Sequence, residues 1–165
     1  MNNISIEGFS KTGNWYKGNL HCHSTNSDGK LSPKEVVELF KNNGYSFLCF
    51  SDHDIYTDYR NEFDCENFII LPGLEASVNL LDESGKYRLK VHHIHGILGT
   101  AEMEKAAKNK FEHLQRREVK TYYGDWNGKK AAQELCDEMR SYGMITTYNH
   151  PIWSRVSYNE FCDIE

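Results

Sequence analysis

Metal chemistry is the first thing the residue types suggest. His21 and His23 stand two apart in the stretch that runs from Asn19 through Leu20, Cys22, Ser24 and Asp28 to Gly29. In an extended segment, residues i and i+2 share a face. Both imidazoles can then converge on one point while Cys22 turns away. Asp28 follows where such a strand would run out into a loop, and two nitrogens with a nearby carboxylate suit a zinc, manganese or iron ion. In isolation the same residues would also fit a polar strand end with surface histidines. The chain, however, repeats the pattern. Ser51-Asp52-His53-Asp54, Pro72-Gly73-Leu74-Glu75, His92-His93-Ile94-His95 and Asn149-His150-Pro151 each close or carry an apolar, strand-like run.

The elements that must position these groups can be read in order. Trp15 to His23 predicts a first strand. Ser32-Pro33-Lys34-Glu35 then opens a helix with a capping box and a proline at its first position. Val36, Val37, Leu39 and Phe40 give that helix its buried face, and Gly44 is its natural stop. Phe47 to Phe50 and Phe68 to Leu71 are short, continuously apolar runs, as expected for strands covered on both faces. Ile55 to Glu66, between them, predicts a short helix or a loop. Ala76 to Leu81 and Tyr87 to Ile97 predict paired strands about the turn Asp82-Glu83-Ser84-Gly85-Lys86. Helices are expected over Glu102 to Thr121 and Lys129 to Tyr142, and a last strand over Met144 to Tyr148. Alternation of this kind predicts an α/β protein with a largely parallel sheet, whose functional groups gather at the carboxyl ends of its strands.

Composition narrows the function class. The 165 residues are 39% hydrophobic and 26% charged, the make-up of one globular domain over 1–165. No apolar run is long enough to span a membrane, and Met1 to Ser5 carries no secretory pattern. The net charge of −5 and the lack of a basic stripe argue against a dedicated nucleic-acid binder. A small anionic substrate, a nucleotide or an oligonucleotide end stays open, because bound cations would supply the positive charge. The five cysteines are scattered and odd in number, which predicts reduced thiols and a cytoplasmic protein. Cys49 and Cys136 are expected to be packing groups.

Taken together, His21-Cys22-His23 with Ser27-Asp28-Gly29, Asp52-His53-Asp54, Gly73-Leu74-Glu75, His93 and Asn149-His150-Pro151 resemble the PHP (polymerase and histidinol phosphatase) family of metal-dependent hydrolases. The resemblance spans residues 15 to about 155. It implies an α/β fold, a distorted (β/α)7 barrel, with up to three divalent metals at its mouth and hydrolysis of phosphate esters. It also implies a ligand map. His21 and His23 would hold a first metal, with Glu75 bridging to a second. His93 and His150 would complete that second site, and Asp28 and His53 would serve a third. A hydroxide shared between the cations would be the nucleophile, making Glu75, His53 and Asp28 the catalytic carboxylates and imidazole. Members of the family normally carry an Asp-x-His pair on a later strand, and no counterpart precedes Glu165. The expectation is therefore an incomplete barrel, with the second site fully furnished and the other two each one ligand short. Its open edge would invite pairing with a second copy.

Some positions stay open at this level. His92, His93 and His95 compete for one ligand place; His93 and His95 share a face, and His92 would point into a helix layer or solvent. His113 is expected on a charged, solvated helix. Asp52 or Asp54 could orient His53 through its second nitrogen. Arg155 is a candidate for binding substrate phosphate, and Trp153 and Tyr56 for lining the pocket. Two further functions remain beside a phosphoesterase for small phosphorylated substrates: a non-catalytic PHP-like module that supports structure or a partner, and a hydrolase of carbon–nitrogen or carbon–oxygen bonds using the same cluster.

Overall fold

The computed structural model describes residues 12–164; the sequence reading at Met1 to Ser5 lies outside them. The chain runs β1 (Gly18–Asn19), α1 (Pro33–Asn42), β2 (Phe47–Cys49), α2 (Arg60–Phe63), β3 (Ile69–Leu71), β4 (Gly73–Leu81), β5 (Arg88–Leu98) and α3 (Ala101–Ala106). It continues through β6 (Thr121–Tyr123), α4 (Gly128–Ser141), β7 (Met144–Tyr148), α5 (Pro151–Ser154) and a 3₁₀ turn over Tyr158–Glu160. The first three strands form a parallel sheet in the order β1-β2-β3. The other four form a second sheet in the order β6-β4-β5-β7.

The α/β class is as expected, the largely parallel sheet is corrected, and the barrel, expected to be incomplete, is not seen as such. The second sheet is mostly antiparallel, because the Asp82–Lys86 turn folds β5 straight back on β4 and β7 then pairs antiparallel with β5. Among the described residues the two sheets do not close into a (β/α)7 barrel. They are joined by isolated bridges, His53 to Glu75 and Thr57 to Gly73, and not by a continuous ladder. Gly73 permits that approach: a Cβ there would lie 2.6 Å from the Gly96 carbonyl oxygen and 2.8 Å from Cys49 Sγ.

Local sequence explains most elements. Ser32 caps α1 by accepting from the Glu35 amide, while the Glu35 carboxylate accepts from the Ser32 amide at 2.8 Å. Val36 and Val37 press that helix on Leu48, Phe50, Phe68 and Ile70. Asn127 caps α4, whose Ala132, Leu135, Cys136 and Met139 bury against Leu74, Ala76, Val78 and Ile94 of β4 and β5. Cys49 and Cys136 are buried, as expected.

Two predicted elements shrink for tertiary reasons. The strand expected over Trp15 to His23 keeps ladder pairing only at Gly18–Asn19. Beyond it the Asn19 side chain takes the His21 backbone and Ser51 takes that of Cys22. The helix expected over Glu102 to Thr121 ends at Ala106. The following segment is pulled back against the β2–α2 loop, where the Tyr56 amide donates to the Gln115 carbonyl, the Leu114 amide to the Tyr56 carbonyl and the Arg117 amide to the Asp54 carbonyl. His113 therefore lies off any helix. Its Nδ1 accepts from the Asp58 amide at 3.0 Å and its ring meets the edge of Tyr59.

Candidate metal centre

Each polar strand end is held by its own backbone arrangement. Cys22 exchanges hydrogen bonds with Ser51, its amide donating to Ser51 Oγ at 2.9 Å and its carbonyl accepting from the Ser51 amide at 2.8 Å. This pins the backbone between His21 and His23, whose Nε2 atoms come within 3.0 Å of each other. The loop that follows folds over the buried Asp52 carboxylate, which accepts from the Ser24 amide, Ser24 Oγ and Ser27 Oγ, each at 2.8 Å. Asp52 thus organises the His23–Asp28 loop, its carboxylate accepting from Ser24, Asn26 and Ser27 and not from the His53 ring. Gly29 is required there, since a Cβ would stand 2.4 Å from the His23 carbonyl oxygen. The loop delivers Asp28 Oδ1 to His23 Nδ1 at 2.8 Å.

Asp54 adopts a left-handed backbone (φ 55). Its amide donates to the Glu75 carbonyl, and its carboxylate accepts from the Ser77 amide and hydroxyl and from Arg117 Nη1 at 2.8 Å. These bonds fix the turn that presents His53. On β4, Glu75, Ser77 and Asn79 share one face by strand alternation. In register opposite them on β5 are His95, His93 and Val91. His150 sits at a strained position (φ 26) between β7 and α5.

The groups meet at Glu75, whose side chain is fully buried. Its Oε1 lies 2.8 Å from His150 Nε2 and 3.8 Å from His93 Nδ1. Its Oε2 lies 3.2 Å from His23 Nε2, 3.2 Å from His53 Nδ1 and 3.6 Å from His21 Nε2. The far nitrogen of His53 faces Asp28 Oδ2 at 3.7 Å. Two groups of three bring one ligand atom from each residue within 4.8 Å of the others: His21–Glu75–His150 and His23–His53–Glu75. All seven residues of the sequence-derived ligand set thus stand in one cluster. The observed groups set His53 beside His23, and His150 beside His21, on the shared carboxylate. His95 is buried one step below, with Nε2 3.5 Å from Cys49 Sγ and its ring 5.2 Å from that of His21. His92 points away, as strand alternation requires, stacking on Trp126 and meeting the Tyr148 hydroxyl at 2.5 Å.

Electrostatics favour cation binding. Burial alone would raise the Glu75 carboxyl; the close approach of His23, the Asn149 hydrogen bond and the neighbouring imidazoles instead hold it well below the usual carboxylate range. Burial pushes His93 and His95 down to about 4, so both offer neutral lone pairs at pH 7. Burial also lowers His21, whereas Glu75 and Asp28 outweigh it at His23 and raise that group. Glu75 Oε2 and His93 Nδ1 are buried without a hydrogen-bond partner, although imidazole nitrogens surround the first. Buried polar atoms are normally satisfied. Lone pairs aimed at a common space, from imidazoles and a carboxylate, are what a divalent cation requires. The residues fit one.

Sequence reasoning gave Asn149 no role. Its Nδ2 donates to Glu75 Oε1 at 2.7 Å and approaches His21 Nδ1 at 3.2 Å, so it orients two ligands at once. Its place beside His150 was the only signal. The cluster opens into a cavity of about 650 Å³ whose wall includes Arg88 and Trp153. Arg155 lies outside that lining, with its guanidinium donating to the Arg88 carbonyl at 3.4 Å. Tyr56 is buried in the second-sheet core against Phe111 and does not line this cavity.

Comparison with known proteins bears on this geometry. Residues 19–147 match the PHP domain family. The chain belongs to that family. PHP domains bind divalent metals, and their activity is of the metal-dependent phosphoesterase type. A stretch of 79 residues is 35% identical to the "DNA polymerase/3'-5' exonuclease PolX" of Bacillus subtilis, covering 38% of this chain and 14% of that protein. A shorter stretch of 38 residues is 53% identical to a "5'-3' exoribonuclease" of Haemophilus influenzae, covering 23% of this chain and 14% of the relative. The matched stretch is thus only about one-seventh of the length of either relative.

Proposed function

We propose that this PHP domain is a metal-dependent phosphoesterase that cleaves a small phosphorylated substrate, a nucleotide or the end of an oligonucleotide. The observation that carries the reading is the buried Glu75 carboxylate, approached on both oxygens by imidazoles from separate segments of the chain. His21, His23, His53, His93, His150, Asp28 and Glu75 would hold zinc, manganese or iron. When bound, such cations supply Lewis-acid polarisation of a phosphoryl oxygen and ionise water near neutrality.

The protein's own groups do the rest. Glu75 stays ionised at neutral pH, so its two oxygens remain available on opposite sides. Asn149 fixes the rotation of that carboxylate, and Asp28 fixes the His23 ring through its second nitrogen. His93 stays neutral at the cavity floor. The cavity size falls in the usual range for small ligands. Both relatives are named for nucleic-acid end cleavage, which supports including nucleotide ends among the substrates. Cytoplasmic residence belongs to the same proposal, supported by five unpaired cysteines. Among the described residues no helix is long and apolar enough to cross a membrane.

The test is hydrolysis by the full chain after chelation and after restoring manganese or zinc, using an aryl phosphate, nucleoside monophosphates and a short phosphorylated oligonucleotide. Turnover that returns with metal and is lost in Glu75→Gln supports the proposal. A metal-loaded, folded chain that cleaves none of these contradicts it.

A further inference from the structure

The cavity extends past the cluster along the face of β4 and β5 that carries Glu75, and that extension has features the cluster does not use. Glu75, Ser77 and Asn79 lie in a row on this face. Four residues of strand carry the row about 13 Å from Glu75 at 3.3 Å per residue. At its end the amide oxygen of Asn79 is buried and lacks a hydrogen-bond partner. Buried acceptors are normally satisfied, and Asn79 is one of the residues that line the cavity.

Arg88 stands on the same wall as the first residue of β5. Among the described residues no carboxylate pairs with its guanidinium. Arg60 and Arg117 are by contrast each bonded to two acidic residues. Val91, between Arg88 and His93 along β5, and Val119 add apolar surface to the lining, to which Trp153, 80% exposed, also belongs. Along this axis the cavity therefore presents a carboxylate–imidazole cluster suited to cations, an apolar stretch, an unsatisfied acceptor and an unpaired guanidinium.

We propose that this extension is a leaving-group subsite, in which Arg88 pairs with a second anionic group of the substrate and Asn79 accepts a hydrogen bond from a separate N–H or O–H group of that substrate. It rests on the phosphoesterase reading, because the first anionic group is the phosphoryl group at the cluster. Substrates with two separated negative charges and a hydrogen-bond donor between them are selected over simple monoesters. Guanidinium is suited to this task, since it stays charged and binds carboxylate or phosphate with two parallel bonds.

Calorimetry on the manganese-loaded full chain tests this with two probes, hexylphosphonate and 6-phosphonohexanoate, which differ only in the second anion. A charge-assisted contact predicts that the second binds about tenfold more tightly. The preference falls to about twofold or less in Arg88→Gln and is partly kept in Arg88→Lys. A wild-type chain that binds both probes equally, or an Arg88→Gln chain that retains the full preference, overturns the subsite. Failure of the loaded wild type to bind either probe overturns the phosphoesterase reading, and this inference with it.

Discussion

Arg117 is the clearest place to test how the site is held, because its loss should cost stability without touching a metal ligand. Its guanidinium is almost completely buried and donates to Asp54 Oδ1 at 2.8 Å and to the Ser77 carbonyl at 2.7 Å. Two further bonds reach Glu138 at 3.0 and 2.7 Å, but that carboxylate is about one-third exposed and contributes at most about 1 kcal/mol. Substitution by methionine keeps volume and removes the charge. The Ser77 carbonyl then loses a partner at a cost of about 1–3 kcal/mol. Asp54, whose side chain is 8% exposed, keeps its Ser77 donors but not its counter-charge. The total expected is about 3–5 kcal/mol, the usual penalty for breaking a buried pair from one side. Urea unfolding of Arg117→Met beside wild type measures it. Asp54→Asn completes a double-mutant cycle, since asparagine tolerates the left-handed backbone at this position. The cycle should show a coupling above about 1 kcal/mol. A loss below about 1 kcal/mol, or additive single effects, would refute the reasoning that Arg117 secures the His53 turn.

Three other outcomes are expected. Gly29→Ala drives a Cβ into the His23 carbonyl; metal affinity in competition titrations should fall by roughly 10–100-fold while the circular dichroism stays unchanged, and an unaltered affinity would count against the loop argument. Met139→Ala, at a fully buried position beneath the second sheet, should cost about 2–5 kcal/mol in urea unfolding, and a loss under about 1 kcal/mol would show that α4 is not anchored there. His92, His93 and His95 are each depressed by burial to about 4, from 6.5 in the unfolded chain. Between those values the unfolded state binds more protons, so their contribution is complete above pH 6.5 and drains away as the pH falls through 4. Each is worth up to about 3 kcal/mol, and chelated protein unfolded in urea at pH 7.5 and pH 5 should show the loss; equal stability at both would contradict it.

Much of the site was legible in the sequence because short-range rules carry it. The i, i+2 spacing of His21 and His23 put two imidazoles on one side, and strand alternation placed His93 and His95 on one face and His92 on the other. The Ser32–Glu35 capping box and the Asp82–Lys86 turn were local chemistry that no distant contact overrode. What escaped was set at long range. Arg117 reads as one basic residue in a charged segment, and only folding brings Asp54, Ser77 and Glu138 to it. The helix expected over Glu102 to Thr121 ends at Ala106, and the backbone of residues 114–117 bonds instead to Tyr56 and Asp54. Asn149 and Asn79 carry no periodic signal, since an amide reads as turn or surface until the buried group beside it is known. The (β/α)7 barrel, expected to be incomplete, came from the family resemblance and not from the residues, and among the described residues isolated bridges join the two sheets.

Metal content is the most direct test of the central claim that the imidazoles and the Glu75 carboxylate form a cation site. The wild-type chain and Glu75→Ala should be chelated, reloaded with manganese, zinc or iron, desalted and measured by elemental mass spectrometry. The structure predicts stoichiometric metal on the wild type and its loss from a variant that remains folded. A folded wild type that retains none of these metals, or a Glu75→Ala chain that retains as much as wild type, would contradict it.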